Sequence, residues 1–324
     1  MSIEESVLRF LESSQGKYVS GGDIASELGV SRNAVWKSVK KLEKKGYNIK
    51  AVTNKGYMLA SSGSLFSAYS IGKYITHDNI DVQYRDCVTS TNTIVKEIAE
   101  NGGEEGLVLI AAEQTDGKGR LGRRFESQKG TGVYFSILLR PQLSPSQSLL
   151  ITTCAAVATA KAIEKHTGRM TKIKWVNDIY MHDRKVSGIL TQAAFDMEGN
   201  KLNFAVLGIG INMYFEEDSL PDEIKDIAGA VFSEKPDGDT VSRIVADTVN
   251  FFFDEYKVLG GKHFLFDYVS RSYLDGKRIN VIKPACIMPA QAIGIDDEFR
   301  LHVRYDDMTE EYLSSGEVST KVYG

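Results

Sequence analysis

Glu113-Gln114-Thr115-Asp116-Gly117-Lys118-Gly119-Arg120-Leu121-Gly122-Arg123-Arg124 is the stretch on which the reading of the fold turns. It follows a strand-like apolar run at 107–112, and its last eight residues hold three glycines and four cationic side chains. Glycine lets a backbone come close to a ligand, while Lys and Arg supply charge and donors for anions. The segment therefore reads as a loop that encloses a phosphate or carboxylate. Residues 117–122 formally satisfy G-x-G-x-x-G, but a dinucleotide site also needs a helix opening there and an acidic residue about 20 positions on. Here the chain continues through Arg123-Arg124-Phe125-Glu126-Ser127 into another β-rich run at 133–139. No helix opens, which removes the Rossmann reading. A P-loop requires Gly-Lys-Ser/Thr at its end and meets Arg123-Arg124 instead. A solvated basic turn is the plain alternative, and the apolar flanks and glycine density speak against it.

Outward from the loop, residues 91–100 and 148–166 carry helical patterns, and 83–88, 107–112, 133–139 and 204–211 read as strands. Several strands are joined too tightly for crossover helices, so the sheet should be antiparallel or mixed. That predicts an α+β central domain at 65–270. Four further segments bear on the loop. Ser90-Thr91-Asn92 ends a strand and opens a helix, where hydroxyls and free amides can hold polar ligand atoms. Lys174-Trp175-Val176-Asn177-Asp178 precedes a strand, Arg184-Lys185-Val186-Ser187-Gly188 follows it, and Gly208-Ile209-Gly210-Ile211-Asn212 ends another. Each alone is equally a cap, a packed Trp, a hairpin turn or a close strand approach.

The N-terminal end has a different character. The whole chain of 324 residues carries a formal net charge of −4, yet Lys and Arg crowd into residues 31–55, where Glu43 is the single acid. A basic end on an acidic protein predicts a separate module with a polyanionic partner. Ser20-Gly21-Gly22-Asp23 has a capping-box pattern, with a short helix to Leu28 ended by Gly29. Ser31 then caps a second helix to about Lys45, with Ala34, Val35, Val39 and Leu42 facing inward. Arg32, Asn33, Trp36, Lys37, Lys40, Lys41 and Lys44 lie on the opposite side. A hairpin over 47–59, turning at Asn54-Lys55-Gly56, completes a helix-turn-helix-wing order in which the second helix enters the DNA major groove and Lys55 reaches a phosphate. A solvated basic face is the alternative. Residues 60–64 are small and polar and read as a linker, giving a module at 1–64.

Composition is that of a water-soluble globular protein, 42% hydrophobic and 25% charged. No apolar run spans a bilayer, so no membrane partner is expected. The N-terminal stretch holds Glu4 and Glu5 and no basic-then-apolar signal, and Cys87, Cys154 and Cys286 have no metal spacing. Reduced thiols and a cytoplasmic location are the expectation. At the other end, 277–283, 291–295 and 300–305 alternate as strands, with turns at Asp296-Asp297 and Asp306-Asp307, predicting a small β module at 271–324.

Taken together and in this order, the winged helix, Ser90-Thr91-Asn92, the loop at 117–123, the Lys174–Asp178 and Arg184–Gly188 segments, the Gly208–Asn212 segment and a C-terminal module ending Ser315-Gly316-Glu317-Val318-Ser319 closely resemble the bifunctional biotin–protein ligase and biotin operon repressor (BirA) family. The resemblance covers nearly the whole chain. It implies a multidomain α+β protein: a winged helix-turn-helix, a class II synthetase-like catalytic domain and an SH3-like barrel. It implies an ATP-dependent, AMP-forming ligase that makes biotinyl-5′-AMP and transfers biotin to a lysine of a biotin carboxyl carrier protein domain. As a repressor it would bind operator DNA as a homodimer when biotinyl-AMP is bound. Carried over by position, Ser90, Thr91, Asn92, Gln114, Lys118, Gly119, Arg120, Lys185 and Gly188 bind biotin. Lys118, Arg123 and the loop glycines hold phosphates. Phe125, Asn177 and Asn212 address adenine, with Arg123 and Lys321 beside the nucleotide; a plain surface lysine is the alternative for Lys321.

Chemistry supports this division independently. A carboxylate is already ionised at neutral pH, so adenylation needs no general base. It needs two anions brought in line with charge spread over cationic donors, Lys185 and Arg120 foremost, and over a Mg²⁺ ion that arrives with ATP and has no protein-only cage. Transfer needs a neutral amine from a group of pKa about 10.4, and Asp178 is the candidate to accept its proton or orient it; an ordinary turn cap is the alternative. Three positions depart from the family pattern: Lys118 stands where Arg is common, Val176 where Pro is usual, and Phe125 where some members carry Trp. The competing functions are a lipoate or octanoate ligase on the related fold, and a biotin-sensing regulator without ligation. The polar Ser90/Thr91/Gln114/Arg120 set favours biotin over the lipoyl chain, and the complete phosphate-binding set speaks against a pure sensor.

Overall fold

The computed structural model describes the chain apart from residues 1–2, 15, 45–46, 48, 60–65, 197–200, 217–219, 284–285, 315 and 321–324. It divides into two compact units, residues 1–74 with 237–243 and residues 75–236 with 244–324.

The first unit contains α1 (Ile3–Ser13), α2 (Gly21–Glu27), α3 (Arg32–Lys44), the hairpin of β1 (Ile49–Val52) and β2 (Gly56–Leu59), and α4 (Ala68–Gly72). The Asp23 amide donates to Ser20 Oγ at 3.0 Å, and the Ala34 amide donates to Ser31 Oγ at 3.1 Å. Both helices thus start at the serines that the sequence marks, each satisfying an otherwise orphaned amide. Val35, Val39 and Leu42 are buried, Ala34 is half-buried, and Arg32, Asn33, Trp36, Lys37, Lys40 and Lys41 are exposed. The side chain of Lys44, the end of the helix at Lys45 and the linker at 60–64 lie outside the described residues. The sequence reading did not anticipate α1 or α4; of the two, α1 bears on the core. Its Val7, Leu8 and Leu11 are buried with Ile24, Val35, Val39 and Leu42 in one core. Such burial contributes about 1.5–3 kcal/mol for each side chain, so α1 belongs to the domain's core.

The second unit is built on a seven-stranded sheet of order β3-β4-β5-β9-β8-β7-β6. Its strands are β3 (Asp81–Arg85), β4 (Leu107–Ala111), β5 (Gly132–Leu139), β6 (Lys172–Lys174), β7 (Asp178–Met181), β8 (Arg184–Asp196) and β9 (Lys201–Asn212). Only β3 and β4 are parallel, with α5 (Thr91–Glu100) lying between them in the chain; every other pair is antiparallel. The sheet is mixed, as tight connections required. The first strand was expected at 83–88 and ends at Arg85. Val88 is buried by packing and makes an isolated bridge to Gln114, so its apolar character marks the loop rather than the strand. Helix α5 packs on β4, β5 and β9, and α6 (Leu149–Thr167) packs on β6, β7 and β8. Arg140 closes the C-terminal end of α5, its Nη2 donating to Ala99 O at 3.0 Å and Gly103 O at 2.7 Å, which supplies donors to carbonyls that the helix leaves free. Helices α7 (Asp222–Lys225), α8 (Gly238–Tyr256) and α9 (Leu265–Ser270) follow.

The C-terminal strands β10 (Arg278–Lys283), β11 (Cys286–Ile295), β12 (Leu301–Tyr305), β13 (Glu310–Leu313) and β14 (Glu317–Ser319) form an antiparallel sheet of order β13-β12-β11-β10-β14. β11 is twice as long as the expected 291–295, because residues from Cys286 pair back on β10. Among the described residues the short edge strands β13 and β14 do not pair with each other, so the sheet is open where a closed SH3-like barrel was expected. No helix among the described residues is long and apolar enough to cross a membrane.

Candidate active site

The glycine-rich loop is a hairpin. The Phe125 amide donates to Gly117 O at 2.9 Å and the Gly119 amide to Arg123 O at 2.7 Å. Between these bonds the chain turns through a single 3₁₀ turn at Arg120–Gly122, with Leu121 at φ 55° and Gly122 at φ +73°. A left-handed pair is what a glycine at 122 permits and a helix start would not. Lys118, Arg123 and Arg124 are exposed, whereas Arg120 turns inward. Its guanidinium donates to Asn177 Oδ1 at 2.9 Å and to Gly316 O at 3.0 Å.

At one end of the cavity beneath this loop, Ser90 and Thr91 are buried at the start of α5. The Thr91 amide and hydroxyl both donate to Gln114 Oε1, at 2.8 and 3.1 Å, and Gln114 Nε2 donates to Ser127 Oγ at 2.9 Å. Ser136 Oγ stands 2.7 Å from Thr91 Oγ1 and 2.6 Å from Asn92 Oδ1. Asn92 Nδ2 donates to Gln192 Oε1 at 2.9 Å and towards Leu190 O at 3.4 Å. Asn92 therefore spends its amide on the sheet below, and a Cβ at Gly208 would overlap its Oδ1. The glycine at 208 is what admits this asparagine.

The opposite end is charged. Lys185 Nζ lies 2.8 Å from Asp178 Oδ1, both partly buried, and Asn177 Nδ2 donates to Asp178 Oδ1 at 3.1 Å and Ile189 O at 2.8 Å. Asp178 opens β7 and Lys185 lies near the start of β8, so the β7–β8 hairpin brings the pair together. The Lys174–Asp178 segment straddles the β6–β7 turn rather than simply preceding a strand, and its Trp175–Val176 peptide is cis. Trp175 Nε1 donates to Phe299 O at 2.8 Å and the Tyr268 hydroxyl to Val176 O at 3.0 Å. Burial pushes the Tyr268 hydroxyl far above its usual range, so it stays protonated as a donor.

The cavity has a volume of about 190 Å³ and brings Ser90, Thr91, Asn92 and Gln114 to the same walls as Arg120, Arg123, Asn177, Asp178 and Lys185. Lys118, Gly119, Phe125 and Gly188 also line it. Asn212 does not: its Nδ2 donates to Gly229 O at 3.1 Å and towards Lys185 O at 3.4 Å, fixing the end of β9 behind the lysine. Lys321 lies outside the described residues. Among the lining residues to which the sequence reading gave no role in the site are Lys174, Phe135, Ile189, Leu190, Gly316 and Val318. Lys174 sits in a motif that was recognised, and Gly316 and Val318 stand in the C-terminal segment quoted for the family resemblance, some 200 positions from the loop, where no cavity role was read for them.

Comparison with known proteins agrees with this geometry. Residues 84–212 match the Biotin/lipoate A/B protein ligase family and residues 4–58 match the HTH domain family. The Bifunctional ligase/repressor BirA of Bacillus subtilis (strain 168) is 35% identical over 229 residues, 70% of this chain and 70% of the relative. The protein of the same name from Escherichia coli (strain K12) is 31% identical over 199 residues, 61% of this chain and 60% of the relative. Among solved structures, the biotin protein ligase from Aquifex aeolicus in complex with biotin and ATP superposes with a TM-score of 0.60 at 25% identity, covering 74% of this chain and 97% of that one. The helix-turn-helix unit, the mixed-sheet cavity and this degree of identity together establish that the chain belongs to the family of bifunctional ligase/repressor BirA proteins.

Proposed function

We propose that this protein joins biotin to ATP as biotinyl-5′-AMP, releases pyrophosphate, passes biotin to a lysine of a carrier protein, and represses transcription through its helix-turn-helix unit. The observation that carries the ligase half is the single cavity with a neutral hydrogen-bonding end and a charged end. The Thr91–Gln114–Ser127–Ser136 network suits a ureido group, which both donates and accepts. Lipoate offers no such partner to the Ser90, Thr91 and Gln114 groups that line this end. Pyrophosphate release with ATP and biotin, and none with ATP and lipoate, is the expected result; equal release with both would overturn the assignment.

In the first step a biotin carboxylate oxygen attacks the α-phosphorus and the bond to pyrophosphate breaks. Lys185 and Arg120 are the cations for the carboxylate and the α-phosphate, and exposed Lys118 and Arg123 serve the departing phosphates. Among the described residues no cluster of three His, Cys, Asp or Glu could hold a metal ion. A Mg²⁺ ion arriving with ATP would be carried by phosphate oxygens and would supply charge neutralisation. In the second step the carrier amine attacks the acyl carbon and AMP leaves. Asp178 takes the amine proton or orients the amine, and its bond to Lys185 would open when the substrate phosphate claims the lysine. Asn177 and Phe125 are assigned to adenine. Asn212 acts by holding the main chain of Lys185, and Asn92 by holding Ser136, which also meets Thr91.

For the repressor half, the exposed face of α3 with Arg32, Asn33, Trp36, Lys37 and Lys40, and Lys55 on the wing, is suited to operator DNA. We infer that biotinyl-AMP promotes a homodimer on paired half-sites, that the protein works in the cytoplasm, and that domain boundaries fall near 64/65 and 270/271. The pairing of the last strand, β14, on the first, β10, supports an SH3-like reading of the C-terminal sheet.

A further inference from the structure

Gly188 on β8 and Gly210 on β9 face each other as directly opposed residues of one antiparallel ladder. The ring of Phe125 lies on both. A Cβ at Gly210 would stand 2.5 Å from Phe125 Cε1 and 2.7 Å from Cζ, and a Cβ at Gly188 would stand 3.0 Å from Cε2, with Lys185 Cε next at 3.1 Å. At Gly210 those distances leave no room for a methyl group unless the ring shifts, and at Gly188 a methyl group would press on the ring. Beside it, on the same face of the sheet, stands Tyr134, the residue opposite Gly210 on β5, which meets the ring edge to face with centroids 6.2 Å apart at 72°. Tyr134 is buried, and its hydroxyl is held 3.0 Å from Thr131 Oγ1 and 3.1 Å from Gln128 O. Behind the ring, the Phe125 amide is tied to Gly117 O at the neck of the glycine-rich loop. The ring is thus carried by the residue that pairs across the neck of the loop. Lys185 Nζ lies 6.0 Å from the centroid of the same ring.

We propose that the opposed glycines at 188 and 210 are a seat for Phe125, and that this seat holds the 117–125 loop closed over the acyl-adenylate. The two glycines are positioning residues: they act through the aromatic ring and touch no reacting atom. Closure matters because a carboxylic–phosphoric anhydride is open to attack by water until the carrier amine arrives. The ring, seated on bare backbone, closes one wall of the cavity with no side chain between it and the sheet. The meaning of the enclosed ligand rests on the ligase reading above, whereas the packing of loop on sheet does not.

The test uses the full chain and two readouts. Limited trypsin digestion, with cut sites identified by mass, reports cleavage at Lys118, Arg120, Arg123 and Arg124 without any ligand. The rate at which preformed biotinyl-AMP is lost to biotin and AMP reports leakage. Gly210→Ala should raise both by about tenfold, as overpacking of a close contact does. Gly188→Ala should act in the same direction to a smaller degree. Phe125→Leu removes the ring atoms that an added Cβ would meet, so Phe125→Leu/Gly210→Ala should match Phe125→Leu alone. Two independent effects that multiply would overturn the seat, as would wild-type digestion of both alanine variants. Should Gly210→Ala fail to fold, Gly188→Ala alone and with Phe125→Leu decides by the digestion rates, since a Cβ at 188 also meets Lys185 and can change leakage through that lysine. If the wild-type protein makes no biotinyl-AMP, the ligase reading fails while the digestion series still judges the seat.

Discussion

At the scale of single residues, the Lys185–Asp178 contact organises the charged end of the cavity. A lysine and an aspartate 2.8 Å apart on adjacent strands are a resting pair that the substrate must rearrange. Lys185→Gln should slow formation of biotinyl-AMP by about 10²–10³-fold, the usual cost of removing one preorganised donor at a developing charge. Pyrophosphate release measures it, and a loss below about threefold would remove Lys185 from the chemistry. Asp178→Asn should leave adenylation within a small factor and slow transfer from preformed biotinyl-AMP by about 10²-fold; transfer at the normal rate would end the role of Asp178 in handling the amine proton. The residue identities at this site were legible because the cationic and glycine positions lie in compact local segments. Their partners were less so. That Asn92 is consumed by Ser136 and Gln192, and that Arg120 reaches Gly316, depends on where β5, β8 and the C-terminal sheet come to rest.

At the scale of elements, caps and periodicity made α2, α3 and the wing readable, since Ser20, Ser31 and Gly29 are local signals that tertiary packing did not override. Helix α1 has cues of the same kind that the sequence reading passed over, with Ile3, Val7, Leu8, Phe10 and Leu11 at helical spacing between Ser2 and Gly16, and it is fixed by the core it joins. On α3, Lys40 is held 2.6 Å from Glu43, an exposed i,i+3 pair, whereas Lys37 has no such acid beside it on that helix. Lys37→Ala should weaken operator binding and lower the slope of log K against log salt by about one. Unchanged affinity at low salt would exclude α3 as the reading helix. The end of α1 supplies a pH test. Burial pushes the Glu12 carboxyl up from 4.5 to about 7, against the opposing pull of the Ser67 hydroxyl and the Lys73 charge. Its second oxygen, Oε2, has no partner among the described residues. Between those two values the folded state holds a proton that the unfolded chain has lost, so this group's contribution to stability falls as pH rises through the window and levels off above it. Glu12→Gln should match wild type near pH 4 and exceed it near pH 8 by up to about 3 kcal/mol. A stability difference that is the same at both ends would contradict the assignment.

At the scale of the whole molecule, the chain joins a basic helix-turn-helix unit to an acidic remainder that holds the cavity. Charge segregation and the switch from helical to strand patterning exposed that division in the sequence. The open C-terminal sheet was less legible, because closure of a small barrel is decided by which short edge strands meet and not by alternation within each strand. Fusion of the two units makes a regulatory prediction: retention of an operator with two half-sites in a gel shift should require biotin and ATP together, and retention that is indifferent to both would rule out corepression. The central claim is the ligase chemistry itself. It is tested most directly by incubating the protein with biotin, ATP, Mg²⁺ and a biotin carrier domain and measuring the mass of the carrier. The expected result is a gain of one biotinyl group, absent when ATP is withheld and absent when the carrier's acceptor lysine is replaced by Arg. A carrier of unchanged mass under the complete conditions would contradict it.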